Sequence, residues 1–218
     1  MRVLVFAPHN DDEILGVGGT MKKFINAGHE VFVCEATSGS KYQLLQTEAK
    51  KAHEFLGVKG SYFLNLPVNE LRNTKQSEIN AAVSRLVNEI QPQYVFIPHK
   101  GDMHMDHGEL AKAAMVAVRP VSADFVKYVY AYETLSETEW NIPCTENAFM
   151  PNVYVDISET IEDKINAMSC YQSQLQEFPN PRSLQAIRAL SEFRGSTICV
   201  HNAEAFMLIR DTSGLVLM

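Results

Sequence analysis

Val3-Leu4-Val5-Phe6 runs directly into Ala7-Pro8-His9-Asn10-Asp11-Asp12-Glu13, and a helical pattern starts at Ile14. Four consecutive apolar residues without alternation describe a strand buried on both faces, as in a parallel sheet covered by helices. The polar turn is short. From Ile14 to Ala27 the apolar residues recur at helical spacing, and Gly28 closes the segment. The order then recurs. Val31–Cys34 is a second buried strand, and Gln43–Leu56 a helix with Leu44, Leu45, Ala49, Ala52, Phe55 and Leu56 on one side and Gly57 at its end. Ser61–Leu64, Ile79–Ile90, Tyr94–Ile97 and Gly108–Val118 follow as strand, helix, strand and helix. Strands alternating with helices of this length predict βαβ units. The expected class is α/β, a Rossmann-like, mostly parallel sheet with helices on both faces.

The second half is less regular. Val126–Tyr132 and Val153–Asp156 read as strands, and Ile161–Leu175 as a helix. Ser196–Arg210 reads as a final strand region broken by His201-Asn202-Ala203. Between Phe178 and Gly195, the segment FPNPRSLQAIRALSEFRG suits a loop plus a short helix near a mouth. There is no internal repeat, low-complexity tract or linker, so residues 1–218 are expected to form a single domain.

Composition narrows the function. With 46% hydrophobic and 21% charged residues over 218 positions, the chain is ordinary globular material. No apolar run approaches the ~20 residues of a membrane helix, so no stable membrane insertion is expected. The first residues carry one basic side chain and a short apolar run ending in acids, unlike a signal peptide, and a cytoplasmic protein is expected. Cys34, Cys144, Cys170 and Cys199 show no CxxC spacing and read as reduced thiols. A formal charge of −7 argues against nucleic acid as a partner.

In open parallel sheets, ligands sit beyond the carboxyl ends of the strands. The first such turn is 7–13. Another is Pro98-His99-Lys100-Gly101-Asp102-Met103-His104-Met105-Asp106-His107, after the fourth strand, and together they hold four of the seven histidines. Strands one and four are neighbours in the common doubly wound order, so both turns converge. Imidazole and carboxylate form a ligand set suited to zinc or a similar divalent ion. Three ligands are available from His9, one member of the Asp11-Asp12 pair and one histidine of the second turn. The other aspartate is then free as a general base. Helix capping alone would need one carboxylate and no histidine. Gly16-Val17-Gly18-Gly19 is a poor dinucleotide loop, because the glycines fall inside the helix after three acids that would repel a pyrophosphate. They are expected to let the helix pack closely on the sheet.

These turns resemble those of the PIG-L / LmbE-like zinc deacetylases, which remove N-acetyl groups from amino sugars. The family's Pro-His-Pro-Asp-Asp-Glu motif stands here as Pro8-His9-Asn10-Asp11-Asp12-Glu13, and its His-x-Asp-His as His104-Met105-Asp106-His107. Thr37-Ser38-Gly39, Val155-Asp156-Ile157-Ser158 with Lys164, Ala167 and Ser173-Gln174, Arg194-Gly195, and Ala203-Glu204-Ala205-Phe206 extend the match along most of the chain. The resemblance implies Zn2+ held by His9, Asp12 and His107, with Asp11 as general base. It also implies His104 on the far side of the scissile carbonyl, with Asp106 holding its imidazole protonated, and Arg194 and Asn202 in contact with substrate. Family members often assemble into trimers or hexamers, which makes a homo-oligomer the expectation. Three positions depart from the pattern. Leu45 stands for a substrate-holding arginine, Ser40 for a glutamate, and Asn202 for a tyrosine that assists the oxyanion. The function expected is zinc-dependent removal of an N-acetyl group from an amino sugar or amino-sugar conjugate. The alternative is a metal- or sugar-binding protein without turnover, which would have no need of Asp11 beside the ligands.

Overall fold

The computed structural model describes residues 1–214. The first half runs β1 (Arg2–Ala7), α1 (Asp12–Asn26), β2 (Glu30–Ser38), α2 (Tyr42–Leu56), β3 (Gly60–Pro67), α3 (Gln76–Ile90), β4 (Tyr94–Pro98) and α4 (Met105–Ala117). Then come β5 (Tyr128–Tyr132), β6 (Val153–Asp156), α5 (Ile161–Met168), α6 (Leu184–Ser196) and β7 (Ala203–Asp211). All seven strands join one sheet in the order β3-β2-β1-β4-β5-β7-β6. β1 to β5 pair in parallel, and β7 is antiparallel to both of its neighbours. The expected α/β class and mostly parallel sheet are the observed architecture.

Alternation along β1 divides the core. Leu4 and Phe6 face a cluster shared with Val95, Ile97 and α3–α4, while Val3 and Val5 face Ile14, Val17 and Met21 of α1 on the other side. Strand β1 is buried on both faces because helices cover both, which is why its sequence does not alternate. The chain leaves β1 toward β2 on one side and returns beside it as β4, with Val3, Leu4 and Val5 opposite Tyr94, Val95 and Phe96. That reversal of strand order opens a crevice at the carboxyl ends of β1 and β4.

The glycines of α1 make close packing possible. A Cβ on Gly16 would overlap the Tyr132 ring, and one on Gly19 would lie 2.8 Å from Ile157 Cδ1. The same stretch is fastened by a buried ion pair, Lys164 Nζ to Glu204 Oε1 at 2.6 Å. Glu204 accepts from the Gly19 and Thr20 amides, and Lys164 donates to the Leu15 carbonyl. Lys164 and Glu204, part of the family resemblance, therefore hold α1 against α5 and β7.

The largest differences from the expected boundaries fall in the second half. The helix expected to run to Leu175 stops at Met168, where the chain turns so that Tyr171 is fully buried and its hydroxyl reaches Glu13. The region from Ser196 is not strand up to Ala203. Instead α6 spans 13 residues, N-capped by Ser183, whose hydroxyl accepts from the Ala186 amide. Gly195 then lets the Val200–Asn202 backbone approach, since a Cβ there would lie 2.7 Å from the Val200 carbonyl. Among the described residues no helix is long and apolar enough to cross a membrane.

Candidate active site

The two histidine-rich turns meet at the β1/β4 crevice. Asp12 is the first residue of α1 and lies fully buried. Its Oδ2 accepts from the His9 amide at 2.9 Å and lies 3.2 Å from His9 Nδ1 and 3.3 Å from His107 Nε2. Zinc bonds of about 2.0–2.1 Å at the tetrahedral angle separate neighbouring ligand atoms by about 3.3 Å. Both edges of the His9–Asp12–His107 cluster that meet at Asp12 thus have the spacing of a tetrahedral site, and all three ligand atoms lie within 4.8 Å of one another. Asp12 Oδ1 and His107 Nε2 are buried without hydrogen-bond partners. Such orphans are costly unless something satisfies them, and a divalent cation fits that need.

Each histidine of the cluster is steered from its far nitrogen. His107 Nδ1 donates to Asp102 Oδ2 at 2.7 Å, and Asp102 Oδ1 accepts from the Thr138 hydroxyl at 2.6 Å. His9 Nε2 donates to Asp106 Oδ2 at 3.3 Å. A carboxylate behind a ligand imidazole fixes its tautomer and orientation. Burial alone would lower the His107 pKa, but Asp12 and Asp102 raise it to about 10. His9 is also raised, with burial opposed by hydrogen bonds to Asp106 and Asp12. Burial would raise Asp12, yet the charge and hydrogen bond of His107 hold it well below the usual carboxylate range.

Asp11 differs in every respect from its neighbour. It caps α1 in the left-handed region, at φ 105°, which is strained for a non-glycine residue. Its amide donates to Glu13 Oε2 at 3.2 Å, a bond that holds the strained turn. Glu13 is braced in turn by the Tyr171 hydroxyl at 2.5 Å and by His53 Nε2 at 3.2 Å, with Glu35 3.7 Å from that nitrogen. The Asp11 side chain is fully buried. Oδ2 accepts from Arg182 Nη1 at 2.6 Å, and Oδ1 has no partner. Burial pushes Asp11 well above the ordinary aspartate pKa despite the Arg182 charge. The same motif therefore holds one acid poised to take a proton and one that resists it.

His104 stacks edge-on against His9, with centroids 4.3 Å apart. The expected Asp106–His104 pair is at the outer limit of an ion pair and has no side-chain hydrogen bond. Asp106 is engaged by His9 and by the Asn69 and Leu71 amides at 2.7 and 3.1 Å, and its Oδ2 lies 3.9 Å from His104 Nδ1. His104 Nδ1 instead accepts from the Asp106 amide, and Nε2 donates to Asn69 Oδ1 at 2.7 Å. Burial and the neighbouring His9 pull its pKa down to about 4, so a protonated imidazole is disfavoured.

Among the described residues, neither Arg194 nor Asn202 hydrogen-bonds to the cluster. Arg194 is clamped on Glu133 through Nε and Nη2 at 2.8 and 2.5 Å, beside the rings of Phe149 and Phe193. With Glu133 and Thr138 it lines a cavity of about 710 Å³. Asn202 accepts from the Ser191 hydroxyl at 2.8 Å and joins α6 to β7. Leu45 is half-buried on α2 and Ser40 is exposed ahead of it. Sequence reasoning did not assign Arg182, Asp102, Asn69, Glu35, His53 or Tyr171. Asp102 stood inside the second turn and Arg182 inside the segment expected at the mouth. The other four come from β2, α2 and loops far away in the chain, with no local signal.

Comparison with known proteins places the chain among deacetylase-like sequences and folds. Residues 4–118 match the family model described as PIG-L: GlcNAc-PI de-N-acetylase. A diacetylchitobiose deacetylase of Thermococcus kodakarensis is 26% identical over 191 residues, covering 81% of this chain and 71% of that one. A probable N-acetyl-alpha-D-glucosaminyl L-malate deacetylase 2 of Bacillus cereus is 24% identical over 189 residues, covering 79% and 83%. The crystal structure of a conserved protein from Thermus thermophilus superposes with a TM-score of 0.81 at 25% identity, over 99% of this chain and 98% of that one.

Proposed function

This chain belongs to the PIG-L family, and from that premise we propose that it is a zinc-dependent hydrolase that removes the N-acetyl group of an acetylated amino sugar or its conjugate. The observation that carries the proposal is the division of labour between Asp11 and Asp12. They are adjacent, fully buried carboxylates whose proton affinities are driven in opposite directions. A pure binding site gains nothing from the first. Relatives at 24–26% identity bear the names of deacetylases of acetylated amino sugars, which supports the substrate class. The free state of all four cysteines suits the reducing cytoplasm.

His9, Asp12 and His107 would hold the ion. Two imidazoles and one carboxylate favour zinc among the common divalent ions. When bound, zinc supplies Lewis-acid polarisation of the acetamide carbonyl and lowers the pKa of a water molecule to ~7. Asp11 does the proton work. Arg182 occupies Oδ2, so the orphan Oδ1 is the atom that receives the proton of the attacking water. Asp11 then returns that proton to the leaving nitrogen as the C–N bond breaks, giving free amine and acetate. His104 contributes as a neutral donor. Its Nδ1 is held by the Asp106 amide, so Nε2 carries the hydrogen and can turn from Asn69 to the developing oxyanion.

The test is acetate release from N-acetylated sugars by the zinc-loaded protein, with metal content read by elemental analysis. Asp11→Asn should retain the metal and lose about 10²–10⁴-fold in rate. A near-normal rate would place the base elsewhere. A metal-loaded wild type that releases no acetate from a broad panel of acetylated amino sugars would overturn the hydrolase assignment.

A further inference from the structure

Glu13, Glu35 and His53 form a second cluster of metal-ligating side chains, drawn from α1, β2 and α2. They are 0, 1 and 2% exposed. Glu13 Oε1 and Glu35 Oε1 lie 3.2 and 3.7 Å from His53 Nε2, and the three atoms fall within 4.8 Å of one another. Those two edges bracket the separation of about 3.3 Å expected between neighbouring ligands of a tetrahedral ion. His53 is aimed from its far nitrogen, since Nδ1 lies 2.8 Å from the Ser61 hydroxyl. A hydrogen bond there fixes the ring and leaves Nε2 to ligate.

The charges in this cluster do not balance. Two buried carboxylates face at most one positive imidazole. Among the described residues neither carboxylate forms an ion pair with a lysine or arginine. Arg182 is matched to Asp11, and Lys164 to Glu204. An uncompensated buried charge is costly. Glu35 Oε2 is also buried with no hydrogen-bond partner. The Tyr171 hydroxyl meets neither need. It donates to Glu13 Oε1 at 2.5 Å and lies 3.4 Å from Glu35 Oε1, so it brings no charge and leaves Oε2 bare. A divalent cation meets both. With a neutral imidazole it brings the cluster to zero net charge, and a carboxylate can take such an ion through both oxygens. One imidazole with two carboxylates suits zinc or manganese. The rival occupant is a proton, because burial and the Glu13 charge push the Glu35 carboxyl well above the ordinary range.

We propose that Glu13, Glu35 and His53 bind a second divalent transition-metal ion, distinct from the His9–Asp12–His107 centre and structural in role. Glu13 links it to the active site, because its Oε2 accepts from the amide of Asp11, the residue at φ 105°. The ion therefore holds the strained turn without touching substrate. The inference does not rest on the hydrolase reading, and its test needs no turnover. Chelator-stripped protein is titrated with Zn2+ and separately with Mn2+, then gel-filtered for elemental analysis, with circular dichroism to check folding. His9→Ala/His107→Ala removes two ligands of the first centre and should still retain one equivalent of at least one ion. Adding Glu35→Gln, which keeps the shape and removes the charge, should abolish that equivalent. At free ion about a hundredfold above its Kd, the equivalent should raise the Tm of His9→Ala/His107→Ala by about 5–10 °C and leave the triple variant unmoved. Binding of neither ion by His9→Ala/His107→Ala overturns the site and leaves a proton as its occupant. An equivalent that survives Glu35→Gln is bound elsewhere and overturns it equally. Should His9→Ala/His107→Ala not fold, the wild type and Glu35→Gln decide by the same difference of one equivalent per chain.

Discussion

Replacing Asp102 by Asn tests how the metal centre is built. In the wild type, Asp102 accepts from His107 Nδ1 at 2.7 Å and from Thr138 at 2.6 Å. An asparagine can still accept from the imidazole through Oδ1 and donate to the Thr138 hydroxyl through Nδ2, so the shape is kept and only the charge is lost. Two effects follow with opposite signs. Losing the carboxylate makes His107 a weaker and less firmly oriented ligand, which for such partners costs about 10–100-fold in metal affinity. Losing it also lowers the proton affinity of His107, which stands at about 10 in the metal-free protein. Stripping that proton at pH 7 costs about 4 kcal/mol, from three pH units at 1.36 kcal/mol each. The variant escapes part of that cost near neutrality and less of it as the pH rises. The affinity deficit of Asp102→Asn should therefore widen as pH rises from about 6.5 to 8.5, toward the full 10–100-fold. The assay is zinc titration against a competing chelator at each pH, with circular dichroism to show that the fold is intact. An unchanged affinity at every pH, or a deficit that shrinks as pH rises, would refute the orienting role.

Asp106→Asn should weaken zinc binding in the same way through His9, by about 10–100-fold, and an unaltered affinity there would return Asp106 to a partnership with His104. The metal-free protein should lose stability as pH rises from about 6.5 toward 10, the window between the unfolded and folded pKa of His107. A raised pKa stabilises below the unfolded value and ceases to do so above the folded one; a flat Tm across that range in metal-free protein would contradict the pairing. Lys164→Met leaves the buried Glu204 carboxylate with its two amide donors but no counter-charge and should cost about 3–5 kcal/mol, while Lys164→Met/Glu204→Gln should cost less than the single change in urea melts. Gly16→Ala forces a methyl into the Tyr132 ring and should lower stability by about 1–3 kcal/mol, so an unshifted unfolding midpoint would remove the packing account of that glycine.

The unbroken apolar runs of β1, β2 and β4 were enough to determine a parallel sheet, because a strand covered on both faces has no reason to alternate. The turns after β1 and β4 located the candidate ligands, since both lie at the carboxyl ends of neighbouring strands; which aspartate and which histidine serve was implied by the family resemblance. What the sequence could not supply was which partner each group takes. Asp106 is two residues from His104 and was expected to hold it, yet it caps the Asn69–Leu71 backbone and steers His9, because α4 aims its carboxylate across the crevice toward β1. Arg182 is 171 positions from Asp11, and Tyr171 is 158 from Glu13, so their bonds exist only once α5, α6 and the connecting loop fold over the mouth. Local spacing fixes residues that share one turn. The proton affinity of a buried carboxylate depends instead on charges and hydrogen bonds brought from the far end of the chain, and only the tertiary structure decides those.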